Sequence, residues 1–212
     1  MNSLIIKSTT IVAGLLALVG GFWLAINQQN DSIVISEDVG IVYPQAREIG
    51  EFQLLDYDNQ STSQDRLRGK WWLVYFGFTF CPDACPLALG DMKKIKSLLT
   101  DQTADRLGFA FISVDPNRDT PARLKEYVSY FDPEFLAMTG DSAALQELAS
   151  KVGVVFIVPE NPEDDNYVVD HSTFMLLWNP QVNLKAILKA PHNPKQVVDA
   201  IQKIISAAES TS

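Results

Sequence analysis

The sequence predicts an α/β domain, a mixed sheet covered by helices, carried behind an N-terminal transmembrane helix. Three observations predict it. Short apolar runs at Trp71–Phe76, Phe109–Val114 and Val154–Val158 alternate with stretches of helical period, the pattern of a helix-covered sheet. A hairpin signal around Asn179-Pro180 and a last amphipathic stretch then close the chain. Finally, Thr9 to Ile26 carries no charge. As a helix that segment would span roughly 27 Å, close to the hydrocarbon thickness of a bilayer.

The 212 residues suffice for one domain and an attachment segment. An apolar fraction of 47% supplies a core that needs no disulfide scaffold. The net charge of −9 argues against a nucleic-acid partner, because phosphate binding needs concentrated Lys and Arg. Lys7 is the only charged side chain before the apolar run, and Asp31, Glu37 and Asp38 follow it. This asymmetry keeps the N-terminus inside and exports the domain. The expected place is a single pass through a bacterial cytoplasmic membrane, with the domain on the outer, periplasmic face. A cleaved signal peptide is the rival, although Leu24-Ala25-Ile26-Asn27 offers no clean cleavage site. The predicted organisation is an anchor over 1–29, a tether over 30–43 and a folded domain over 44–208.

Pro44 is expected to open the domain. Phe52–Leu55 reads as a short strand and Asp58-Asn59 as a turn. Trp71–Phe76 is too short for a helix and reads as a central strand. After the cysteines, Ala88, Met92, Ile95 and Leu99 give a helix one apolar face. Phe109–Val114 is a second strand. Thr120 then caps a helix that starts with Pro121. Asp141 caps another, which Gly153 stops. Val154–Val158 is a third strand, and Pro159–Asn166 an acidic loop. Thr173–Trp178 and Leu184–Leu188 form the hairpin, and Asn193 caps a final helix from Pro194. This element order is thioredoxin-like. Ligand sites in such sheets favour the carboxyl ends of strands.

One such end carries the only two cysteines, in Cys81-Pro-Asp-Ala-Cys85-Pro86. Pro86 disfavours helix at the residue before it, so the spacing suggests a tight loop with Pro86 opening the helix. Cys85 would then lie at a helix N-terminus and be the more readily ionised thiol. A structural disulfide is one alternative, but closing so small a loop stabilises by only about 2 kcal/mol. Two inert buried thiols are another. Zinc wants four ligands in a structural site, and His171 is the one obvious addition. Two thiolates and an imidazole suit copper better. His192 reads as an exposed turn beside a helix cap and is set aside as a ligand.

Three motifs occur in order: Tyr75-Phe-Gly-Phe-Thr79 leading into the cysteines, Ser113-Val-Asp-Pro-Asn-Arg-Asp-Thr120, and Val169-Asp-His-Ser172. With them the chain, from about Pro44 to Ala208, resembles the Sco/SenC family of copper-binding assembly proteins. The resemblance implies one copper ion, as Cu(I) or Cu(II), held by Cys81, Cys85 and His171. It also implies a part in building the copper centre of a cytochrome c oxidase subunit, or service to another copper-handling protein. The alternative it implies is a thiol-disulfide oxidoreductase that keeps a partner's copper-site cysteines reduced, with Cys81 and Cys85 as the redox pair. Asp115 matches an acidic residue of the second motif, which implies a place behind the metal ligands or at a partner surface; a turn with Pro116 is its plainer role. Relatives commonly carry histidine before the first cysteine, where this chain has Phe80. That residue is expected to dry and shield the site.

Overall fold

The computed structural model describes residues 20–21, 33–159 and 167–210. Apart from Gly20 and Gly21, the expected membrane-spanning segment lies outside the described residues, as do residues 160–166 of the acidic loop. Among the described residues, no helix is long and apolar enough to cross a membrane. The chain divides into two compact units, residues 1–32 and 33–212. The second holds the sheet and its helices.

Its elements run β1 (Gly40–Glu48), β2 (Gln53–Asp56), β3 (Ser61–Ser63), β4 (Trp71–Gly77), α1 (Ala84–Leu98), α2 (Asp101–Ala104), β5 (Leu107–Ser113), α3 (Pro121–Phe131) and β6 (Leu136–Thr139). They continue with α4 (Ser142–Val152), β7 (Phe156–Ile157), β8 (Asp170–His171), β9 (Met175–Trp178), β10 (Asn183–Leu188) and α5 (Pro194–Ser210). Eight strands form one sheet in the order β1-β10-β9-β4-β5-β6-β2-β3. β4, β5 and β6 are parallel neighbours, and the outer pairings are antiparallel. The sheet is therefore mixed, and the fold is the thioredoxin-like one that the element order implies.

β4 is central because its sequence leaves no solvent face. Every residue of it but Trp72 is buried, as a strand covered on both sides requires. Tyr75 faces Phe111 across the parallel ladder and Met175 across the antiparallel one. The expected caps are in place. The Thr120 side chain accepts from Arg123 N–H, and Asp141 accepts from Ala144 N–H. Gly153 ends α4 with φ of 76°, a left-handed value that favours glycine. Asn193 Oδ1 accepts from the N–H groups of Lys195 and Gln196 at the start of α5.

Three expectations need correction. The tether does not run to residue 43: β1 starts at Gly40, Val39 is buried, and Ile33 and Ile35 pack against the core. Pro44 lies inside this strand, which sits at the sheet edge, where proline is tolerated. The register with β10 shifts between Val42 and Arg47. There Lys185 Nζ donates to the carbonyls of Tyr43 and Pro44 (2.8 and 3.1 Å). Second, Val154–Val158 is not a strand of the main sheet. Only Phe156–Ile157 is extended, and it pairs with β8 in a separate two-stranded ribbon. Third, β6 has no counterpart among the expected strands. Its four residues are all buried and show no alternation for a pattern to reveal.

Candidate metal centre

β4 delivers the chain to the site at Gly77. The next residues, Phe78 to Cys81, turn back on themselves, with Cys81 N–H donating to the Phe78 carbonyl. α1 begins at Ala84, so Cys85 already lies in its first turn and Pro86 follows it within the helix. This corrects the expected opening of the helix at Pro86. A proline anywhere in the first turn sacrifices an N–H that has no intrahelical acceptor.

That placement reverses the expected order of the thiols. The first N–H groups of a helix must find acceptors outside its own ladder. Cys85 N–H is directed at Cys81 Sγ, 3.4 Å away. Cys81 thus occupies the position of a capping acceptor. The Cys85 thiol hydrogen bond to its sulfur, with the N–H groups of Cys85 and Asp83, outweighs burial and holds the Cys81 thiol down to about 4. Cys85 is fully buried. Its hydrogen bond to the Cys81 thiolate and its burial push its own thiol far up. Cys81 is the ionised thiol and Cys85 the proton holder. In the reduced, metal-free protein, iodoacetamide should therefore modify Cys81 alone. Its rate should stay flat between about pH 8 and 5 and fall as pH drops through the thiol's depressed range, because thiolate is the nucleophile. A rate that instead climbed with pH through the ordinary thiol range near 8.5 would contradict this assignment.

His171 arrives from the other side of the site. It lies in β8, opposite Phe156, and the main-sheet strand β9 follows it at Met175. Ser172 fastens the ribbon, donating its N–H to the Val155 carbonyl and accepting Val155 N–H on Oγ. His171 Nδ1 lies 2.8 Å from the Ser172 carbonyl. A carbonyl only accepts, so Nδ1 carries the proton and Nε2 presents a lone pair. Nε2 lies 3.3 Å from Cys85 Sγ, with its lone pair on the side of the two sulfurs. The edges of Tyr75 and Phe78 meet the imidazole ring at centroid distances of 5.9 and 5.7 Å. Cys81 Sγ, Cys85 Sγ and a ring nitrogen of His171 all lie within 4.8 Å of one another. Among the described residues they are the one such cluster that could hold a metal ion.

The other candidates sit elsewhere. Asp115 is fully buried and does not belong to the cluster, so it is not at a partner surface. Its backbone carbonyl closes the turn, accepting from Arg118 and Asp119 N–H. Its carboxylate accepts from Arg118 Nε at 2.6 Å and Tyr167 Oη at 2.7 Å. This ties the segment leading to His171 onto the end of β5. Phe80 does not shield the centre. It is 40% exposed, and its ring carries the guanidiniums of Arg118 and Arg123 at 4.6 and 4.1 Å. The apolar wall is Tyr75 and Phe78, both buried. His192 is half-buried rather than exposed and lies 3.3 Å from the Leu188 carbonyl through Nε2.

Sequence reasoning missed Asp119. It is fully buried behind the cysteine turn, accepting from Thr79 N–H, Thr79 Oγ1 and Ser113 Oγ at 2.8, 2.6 and 2.6 Å. Arg123 Nε donates to Thr79 Oγ1 at 2.6 Å. Burial raises the Asp119 carboxyl, and the donors from Ser113 and Thr79 offset that only in part. The available signal was its place in the Ser113–Thr120 motif.

The family model described as SCO1/SenC matches residues 42–206. This chain belongs to the SCO1/SenC family. Among its relatives is the SCO2-like protein of Rickettsia felis, 33% identical over 203 residues, which cover 95% of this chain and 98% of that one. Among solved structures, Arabidopsis thaliana ScoI with copper bound superposes with a TM-score of 0.68 at 33% identity, over 74% of this chain and 98% of that one. BsSco, described as a member of the Sco family of cytochrome c oxidase assembly proteins with a disulfide switch, gives 0.59 at 26%, over 77% and 94%.

Proposed function

We propose that this SCO1/SenC protein is a membrane-tethered copper chaperone. It carries one copper ion as cargo on Cys81, Cys85 and His171 and assists assembly of the copper centre of cytochrome c oxidase. The observation that carries this reading is the donor set: two sulfurs and an imidazole nitrogen within 4.8 Å. Soft sulfur selects Cu(I), and the added nitrogen suits Cu(II). A structural zinc site wants a fourth protein ligand, and no other His, Cys, Asp or Glu joins the cluster among the described residues. The site fits copper in a further respect. His171 already has its tautomer fixed by the Ser172 carbonyl, as metal-bound histidines usually do.

The partner is an oxidase subunit carrying a copper centre, or another copper-handling protein. Exposed apolar side chains on the segments that hold the ligands support docking there. Phe80 precedes Cys81, Leu87 lies two residues after Cys85, Val168 lies three before His171, and Val155 and Ile157 flank Phe156, the residue paired with His171. Copper bound in ScoI and the oxidase assembly ascribed to the Sco family of BsSco agree with this role. The uncharged Thr9–Ile26 segment supports a single-pass anchor in a bacterial cytoplasmic membrane, with the domain on the periplasmic face.

The full-length protein purified without oxygen should hold one copper per chain when loaded and show two thiols when empty. His171→Ala should weaken Cu(II) binding by more than the roughly 10–100-fold that accompanies loss of an outer-shell partner. Unchanged affinity in that variant would remove His171 from the site.

The asymmetry of the thiols favours a second reading, reduction of a partner's disulfide. The Cys81 thiolate would attack one partner sulfur, releasing the other as thiolate. Cys85, giving up its proton to that leaving group, would then close the Cys81–Cys85 disulfide and free the second partner thiol. Two electrons pass from this protein to its partner. Metal-free His171→Ala protein that still reduced the partner would favour this reading over delivery.

A further inference from the structure

Tyr75 is wholly buried beside the ligands, and its hydroxyl lies close enough to Cys85 for each group to perturb the other, yet it makes no well-formed hydrogen bond. Buried polar groups are normally satisfied, and an unpaired hydroxyl costs stability. Its position is set by β4. Tyr75 and Gly77 are two residues apart and share one face of the strand. Gly77 has no side chain there, and the space is taken by the site. A Cβ on Gly77 would fall 2.6 Å from Cys85 Sγ and 3.2 Å from Tyr75 Cε1, the ring carbon beside the hydroxyl-bearing one. The phenol and the Cys85 sulfur therefore converge on the same small volume. Buried Phe111 borders the same volume, and the His171 ring meets Tyr75 edge-on.

A cysteine binds metal as thiolate. Thiolate sulfur accepts hydrogen bonds far better than a thiol, since ionised acceptors make the stronger bonds. We propose that the Tyr75 hydroxyl is the hydrogen-bond donor to the Cys85 sulfur in the copper-loaded protein, and that it tunes the balance between cuprous and cupric copper. This rests on the copper reading of the site. The donor that makes no well-formed bond in the empty protein gains a strong one on loading, when the Cys85 sulfur becomes a thiolate. Its effect has a definite sign. A hydrogen bond to a ligating sulfur stabilises the state in which that sulfur carries more negative charge. Sulfur gives up more of its charge to Cu(II) than to Cu(I), so the donor favours Cu(I). Hydrogen bonding around a ligating cysteine sulfur is a known lever on copper potentials.

The test is Tyr75→Phe in the full-length chain, beside the unaltered protein. The metal-free variant should be as stable as the parent or more so, because it loses no well-formed hydrogen bond. Its Cu(II) form should show the sulfur-to-copper charge-transfer band at lower energy. Its preference for Cu(I) over Cu(II), from competition with a chelator of each ion, should fall by about three- to tenfold, because the two copper states share most of the roughly ten- to hundredfold effect of one hydrogen bond to a charged acceptor. An unchanged band with an unchanged preference overturns the inference while leaving the copper reading intact. A metal-free variant less stable than its parent also overturns it, since the hydroxyl would then be a structural group. Failure of the unaltered protein to bind copper overturns both.

Discussion

Asp119→Ala should be the most damaging single substitution behind the site. The alanine leaves Thr79 N–H, Thr79 Oγ1 and Ser113 Oγ facing an apolar gap. Each orphaned donor costs about 1–3 kcal/mol, so the loss should be roughly 3 kcal/mol or more by urea denaturation. The damage also has a direction. Thr79 stands two residues before Cys81, and without Asp119 only Arg123 holds its hydroxyl. The cysteine turn should loosen, and copper affinity should fall with stability. Asp119→Asn should cost less, because its one carbonyl oxygen can keep the two bonds now made to Oδ2. The raised carboxyl of Asp119 sets the pH sign. Its folded pKa lies above the unfolded value, so its contribution is fullest in acid and is lost as pH rises through the folded pKa. The asparagine variant should lack that step. An Asp119→Ala protein within about 0.5 kcal/mol of the parent, as for an ordinary surface change, would contradict this role.

Gly77→Ala should have the second large effect, on the ligands themselves. The new methyl would lie 2.6 Å from Cys85 Sγ and 3.0 Å from Phe111 Cε2, well inside the separation of about 3.5–4.0 Å at which carbon atoms pack best. Neither neighbour can give way, since both are fully buried. Overpacking of this kind costs about 1–3 kcal/mol. Cys85 must move, and its 3.3 Å approach to His171 Nε2 goes with it. A site displaced by about 1 Å is the usual way for a centre to be present but ineffective. Copper affinity should fall about tenfold or more, as for loss of support around a metal ligand. Full affinity in a stably folded Gly77→Ala protein would show that the strand end does not set the cysteine's position.

What the sequence disclosed depends on how local each cause is. The run Trp71–Phe76 announced a central strand because it is apolar throughout. Thr120, Asp141, Gly153 and Asn193 announced helix ends because capping is a property of neighbours. The cysteines were plain as a site because their strand ended there. Two local rules pointed the wrong way. Pro86 suggested where the helix starts, yet any position of the first turn tolerates proline. Pro44 suggested a domain boundary, yet an edge strand with a register shift accommodates it. The ionised thiol was misassigned for a related reason: the N–H that favours thiolate belongs to Cys85, but it points at Cys81. Phe80 looked like a shield by type alone, whereas two arginines from the β5–α3 region hold it at the surface. Asp119 was hidden by distance. The Thr79 that it anchors is 40 residues away along the chain, and no pattern in one sequence connects them.

A copper-handling role stands or falls with the identity of the three ligands. Copper-edge X-ray absorption on the loaded full-length protein tests it most directly. Two sulfur scatterers and one imidazole should surround the metal, with the imidazole signal lost in His171→Ala. A copper site without sulfur, or an imidazole signal that survives in His171→Ala, would contradict it.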